Sequence, residues 1–308
     1  MSSLFIIGNG FDLAHDLPTK YSDFKNFILA RYPKAEHIIS PFDMEYYYGK
    51  HYDEIAAQLL VYTMNKSSGP DWNDFENSLG HLHIHDVLPE RKNTTNKKGE
   101  HDDSNIQEYL LFLGIIADVL KTSTENWQFF FRDWIKSVSQ EAWEKSYLQR
   151  SSLFELFSKP DNYFLNFNYT KTLQRIYSIK KVIHIHNRVG QKLIFGHGNK
   201  NEFYEGGLIG STTLDNILAA FRKDTLTPMK KYNVFFKKLS QDINKVYSYG
   251  FGYAAVDSIY IKTIIQKIAK DAIWYFSEFE TANKESLRIK KVKIRNYGFK
   301  GNFDVFSG

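Results

Sequence analysis

The sequence contains no cysteine. That excludes disulfides, cysteine-ligated zinc and thiol catalysis; zinc held by histidines and carboxylates stays open. No apolar run approaches the roughly 20 residues a membrane-spanning helix needs. No secretory leader is expected, because the N-terminus enters the apolar run Leu4-Phe5-Ile6-Ile7 at once. The expectation is a soluble cytoplasmic protein with no membrane partner. Charge bias is small: a net charge of +5 does not by itself argue for nucleic acid. The dinucleotide-binding fingerprint also lacks its third glycine, since Leu13 stands there.

What is present is a chain of 308 residues, at the upper end for one domain. The pattern points to a single α/β domain over 1–308, Rossmann-like, with a mostly parallel sheet. Residues 41–160 read as a helical insertion and 284–308 as a basic C-terminal segment. The aromatic share is 16%, with 25 Phe and 20 Tyr, which implies a large buried core and room for an aromatic-lined cleft.

The chain is organised around Leu4–Thr19. A buried strand runs into the tight turn Gly8-Asn9-Gly10, where two close glycines let the backbone approach a phosphate. The plainer alternative is an ordinary strand-to-turn junction. Asp12 suits a ribose hydroxyl, or else caps the next helix. A helix then opens at Ser22-Asp23 and runs to about Tyr32.

Residues 41–160 look helical. Ile55, Leu59, Leu60 and Met64 recur at helical spacing. Glu76 sits among aromatics, where burial would raise its pKa; an exposed carboxylate on an amphipathic helix is the favoured alternative. His81, His83 and His85 alternate as if on one side of a strand and read as surface residues. Residues 89–105 are polar and read as a loop. One or two long helices over 106–148 carry Trp127, Phe130, Phe131 and Trp134, read as core.

Tyr163–Asn199 is the second informative stretch. Phe164–Thr170 has strand composition, Lys171–Tyr177 reads as a short helix, and Lys181–His186 as an alternating strand. This compact βαβ unit puts Asn168 and His186 at the ends of neighbouring parallel strands, where open α/β sheets collect ligand groups. A histidine there can serve as a base near neutral pH; alone, a structural hydrogen bond explains it as well. Leu193-Ile194-Phe195 reads as a third strand ending in Gly196. Val246–Gly252 is a further strand ending in Gly250-Phe251-Gly252, followed by Asp257, a helix over 259–270 and a strand over 273–276. Residues 284–300 carry seven basic residues against one acid, Glu285. They form either a phosphate-contacting face or, the favoured reading, an edge strand protected by lysines.

Six stretches carry a resemblance: LFIIGNGFDLAHDLPTKYSDF (4–24), DWNDFE (71–76), FNYTKTL (167–173), HIHN (184–187), LIFGHGN (193–199) and YGFGYAAVD (249–257). In this order they resemble the AbiH family of bacterial phage-abortive-infection proteins, and more distantly the sirtuin-like NAD enzymes. The resemblance implies NAD as substrate or ligand and requires no metal. It sets Gly8 and Gly10 against the NAD phosphates and Gly250 and Gly252 on the adenosine side, with Asn9 and Gly196 added to the cofactor-binding set. Asn168 would position the nicotinamide ribose and a water, and His186 would be the catalytic base. Asp12, Glu76 and Asp257 match acidic positions that recur in AbiH-like sequences, Asp12 and Asp257 as cofactor contacts and Glu76 as an acid.

There are departures. Asn187 stands where sirtuin-like chains place a glycine after the histidine, and Pro18-Thr19 where they place proline-aspartate. The missing zinc-ribbon cysteines argue against a protein deacylase. The implied activity is hydrolysis of NAD to nicotinamide and ADP-ribose, with the helical region covering the cleft. A non-catalytic nucleotide sensor is the alternative. A metal-dependent nuclease using Asp12, Glu76 and Asp257 is the third reading. A phage-derived trigger or partner protein, or a homo-oligomer, fits a defence role; nucleic acid is disfavoured as a partner.

Overall fold

A computed structural model describes residues 2–36, 52–82, 103–144, 150–199 and 211–308. The chain divides into two compact units. The first comprises Met1–Lys20, Arg132–Phe195 and Lys223–Gly308; the second comprises Tyr21–Phe131 and Gly196–Arg222.

The first unit holds a six-stranded sheet: β1 (Ser3–Ile7), β2 (Tyr163–Asn166), β3 (Ile183–His184), β4 (Lys245–Tyr249), β5 (Ile273–Ser277) and β6 (Asn302–Phe306). All neighbours are parallel, in the order β3-β2-β1-β4-β5-β6. This is the doubly wound, Rossmann-like arrangement, whose strand order reverses between β1 and β4. The continuous apolar run of β1 follows from burial on both faces. Leu4 and Ile6 join one core cluster with Val246, Ile261 and Ile264, while Phe5 and Ile7 join the other with Phe11, Phe157 and Leu173. Much of the aromatic content sits in a ladder across β2, β1, β4 and β5. Phe164, Phe5, Tyr247 and Tyr275 stack with successive centroids 4.9, 4.9 and 4.8 Å apart. The rings are register partners on adjacent strands, so sheet pairing itself sets the stacking.

In the second unit, the helix Tyr52–Ser68 buries Ile55, Leu59, Leu60 and Met64 as the spacing predicts. Trp127, Phe130 and Phe131 are buried there, and Trp127 Nε1 donates to Ala56 O at 2.8 Å. A single helix, Asp103–Glu144, occupies most of the 106–148 stretch. Residues 83–102, which include His83, His85 and most of the expected loop, lie outside the described residues. Among the described residues no helix is long and apolar enough to cross a membrane.

Three expectations are corrected. Residues 284–300 form no edge strand: Lys284–Asn296 is a helix, capped by Asn283 Oδ1, which accepts from Ser286 N. Leu287 and Ile294 turn inward from it at helical spacing, which the run of lysines masks in the sequence. The edge strand lies beyond it, at Asn302–Phe306. Leu193–Phe195 joins no strand of the sheet; Ile194 N donates instead to His186 O. His81 lies in a bend rather than a strand and is exposed.

Candidate functional site

The carboxyl ends of β1, β2 and β4 are level, because Ile7 pairs with both Asn166 and Tyr249. Asn166 pairs in turn with His184. Asn168 and His186 therefore leave the sheet at equivalent positions, each just past the end of its strand.

Both glycine turns meet at the β1/β4 reversal, and their glycines are used there for close packing. Gly8 N donates to Tyr249 O at 2.9 Å and Gly10 N to Gly250 O at 3.0 Å. A Cβ on Gly8 would lie 2.5 Å from Phe251 Cα, and one on Gly10 2.6 Å from Gly250 Cα. Gly250 has φ +64, the left-handed region that glycine enters freely. Gly252 is different: a Cβ there would meet nothing within 4 Å. The side chain of Asn9 is exposed, and its Nδ2 donates to Thr19 O.

Asn168 is buried, with Nδ2 donating to Gly8 O at 3.0 Å and its backbone N held by Asn166 Oδ1. Its carbonyl accepts from His184 Nδ1, which fixes that imidazole as the Nδ1–H tautomer with Nε2 accepting from Gln174. Burial pushes the His184 pKa down to about 4, so it is a neutral structural group.

His186 is buried, and its Nε2 lies 3.0 Å from Asp257 Oδ1. The other carboxylate oxygen of Asp257 accepts from Lys223 Nζ at 3.3 Å. Burial alone would raise the Asp257 pKa, but the Lys223 ammonium and His186 outweigh it and hold the carboxyl at about 2. The carboxylate is thus ionised at neutral pH and accepts only, so His186 Nε2 must carry the proton. The hydrogen bond of His186 among the described residues runs through Nε2, and none is made by Nδ1. Phe167, Tyr169 and Tyr260 surround the ring at centroid distances of 5.3, 6.2 and 6.1 Å. A base held by a carboxylate, walled by aromatics and unbonded on its other nitrogen is equipped to take a proton.

Asn187 adopts φ +61, in the left-handed region that glycine enters freely. Asparagine tolerates this region better than most residues. Its side chain is anchored by Nδ2 to Lys192 O and by Oδ1 to Lys231 Nζ.

Asp12 is no cap; it lies inside the short helix Asn9–Leu13 and is almost wholly buried. Oδ2 accepts from Thr170 Oγ1 at 2.6 Å, and Thr170 accepts from Thr172 Oγ1. Burial raises its pKa to about 6 against the opposing hydrogen bonds of Thr170, Thr172 and Asn168.

In the second unit, Glu76 is half-buried; Oε1 accepts from Tyr21 OH at 2.7 Å and Oε2 from Gly196 N at 3.4 Å. Gly196 has φ +132. Among the described residues no three His, Asp or Glu side chains gather as metal ligands.

The family model described as "Bacteriophage abortive infection AbiH" matches residues 4–278. The chain belongs to the AbiH family. Its family role is abortive infection, a defence against phage. No curated protein and no solved structure matches this AbiH chain.

Sequence reasoning missed two residues of the candidate site in this AbiH-family chain. Lys223 is buried against Asp257, with no local pattern to mark it. Glu280 accepts from Gly250 N at 3.0 Å and from Ser277 Oγ, and pairs with Lys290 at 2.6 Å, bracing the second glycine turn. The spacing Ser277-x-x-Glu280, a capping-box pattern, was the available signal.

Proposed function

We propose that this AbiH-family protein binds NAD or a related nucleotide over the carboxyl ends of β1, β2 and β4, and hydrolyses NAD to nicotinamide and ADP-ribose. The observation that carries this reading is the Asp257–His186 pair, which leaves Nδ1 as a free, oriented proton acceptor. The strand reversal at β1/β4 supports it, since open α/β sheets bind nucleotides there.

In the reaction, water attacks C1′ of the nicotinamide ribose. The C1′–N bond breaks and its electron pair leaves with nicotinamide, which departs neutral. The proton of the attacking water passes to His186 Nδ1, and Asp257 stabilises the imidazolium that forms. Asn168, anchored to Gly8 O, orients the ribose and the water. The aromatic walls around His186 exclude competing solvent.

The test is incubation of the purified protein with NAD, following nicotinamide release, beside His186→Ala and Asn168→Ala. Release by the wild type that is lost in both variants supports the reading. Release that persists in His186→Ala overturns it. Tight NAD binding by calorimetry without release removes the hydrolytic step and makes the protein a nucleotide sensor.

A further inference from the structure

Phe279 is a large apolar side chain held in the open. It lies on the short helix Glu278–Thr281, directly past the carboxyl end of β5, and is 47% exposed. Its ring stacks on Tyr249 at a centroid distance of 6.3 Å and an interplanar angle of 23°. Tyr249 is buried and its hydroxyl donates to Gly308 O, so the backing ring is fixed. The mount is fixed as well. Glu278 Oε1 accepts from Ser307 Oγ at 2.6 Å, and Glu280 Oε2 accepts from Gly250 N at 3.0 Å. The second of these bonds ties Phe279 to the glycine turn that follows β4. An exposed aromatic ring that is braced rather than loose is a platform for another flat ring. Glu280 is matched by Lys290, so the charge left beside the ring is that of Glu278, which disfavours a phosphate and admits a neutral base.

Resting on the nucleotide reading above, we propose that Phe279 stacks the adenine base of the bound dinucleotide. The strand order sets the direction. His186 follows β3, Asn168 follows β2, the glycine turns follow β1 and β4, and Phe279 follows β5. With the nicotinamide ribose at His186 and the phosphates between β1 and β4, the second base falls on the β5 side. From β3 to β5 is four strand spacings, about 19 Å at roughly 4.8 Å each, a span that an extended dinucleotide covers. Stacking engages the π face, which every base has, so the ring adds affinity without choosing among bases.

The test titrates NAD and ADP-ribose by calorimetry against the wild type, Phe279→Ala and Phe279→Trp, with thermal melts confirming that each variant is folded. The two ligands share the adenine, and only NAD carries nicotinamide. Phe279→Ala is expected to weaken both by the same factor, about 5- to 100-fold, the range one base–aromatic stack supports. Phe279→Trp, which keeps a flat ring, is expected to hold both affinities near those of the wild type. Unchanged NAD affinity in Phe279→Ala, a loss confined to NAD, or an equal loss in Phe279→Trp overturns the assignment while leaving nucleotide binding intact. Binding of neither ligand by the wild type overturns the underlying nucleotide reading, and this assignment with it.

Discussion

Gly250→Ala tests whether the two glycine turns are built against each other. Gly250 sits at φ +64, where an alanine is strained by about 1 kcal/mol. Its new Cβ would lie 2.3 Å from Gly10 Cα and 2.6 Å from Gly10 C and N. These are backbone atoms, so no side-chain rotation relieves the contact. The turn must move, at the roughly 1–3 kcal/mol typical of overpacking. That movement also disturbs the bonds from Gly10 N to Gly250 O and from Gly250 N to Glu280 Oε2, both 3.0 Å. The expected loss is about 2–4 kcal/mol, or roughly 5–15 °C in Tm. Gly252→Ala is the control from the same Gly-x-Gly: nothing lies within 4 Å of its Cβ and its φ is not positive. It should change stability by no more than about 0.5 kcal/mol. Urea denaturation and scanning calorimetry read both variants. Equal stability of the two, or a greater loss for Gly252→Ala, would refute the packing argument.

Two further perturbations probe the buried carboxylates. The Asp12 pKa rises from 3.8 to about 6 on folding, so its folded form binds the proton more tightly than the unfolded one. Wild-type stability should therefore gain on the order of 3 kcal/mol from this group as pH falls from above 6 to below 4. Asp12→Asn should remove that gain; melts that keep the same pH dependence in the variant would contradict it. Asp257 has the opposite sign: its carboxyl falls from 3.8 to about 2, so its contribution is present above pH 4 and lost as pH falls through 2. Asp257→Asn, which breaks the buried Lys223–Asp257–His186 set, should cost about 3–5 kcal/mol. A double-mutant cycle with Lys223→Met should show about 1–3 kcal/mol of coupling, and independent effects would count against the ion pair.

Much of the scaffold was legible because its signals are local. The run Leu4–Ile7 ending in glycine, the alternation into His186 and the helical spacing of Ile261, Ile264 and Ile268 each declare themselves within a few residues. So did the placement of Asn168 and His186 just past neighbouring strand ends, which needs only a strand, a short helix and a parallel strand. Local signals also misled. The basic residues of 288–295 obscure the inward positions Leu287 and Ile294, so the sequence pattern of this helix imitates that of an edge strand.

The sequence by itself determined the parallel α/β frame, the absence of cysteine chemistry and the two glycine turns, all consequences of residue type and short-range period. Only the tertiary structure decided what those groups do to one another. It set Asp257 on His186 across 71 positions, Thr170 on Asp12 across 158, and Lys223 on Asp257 across 34. It also pressed Gly250 onto Gly10 while leaving Gly252 open. The physical reason is that burial and pairing, which shift a carboxyl to about 6 at Asp12 and to about 2 at Asp257, are properties of neighbours brought together by folding, not of the residues beside them in the chain.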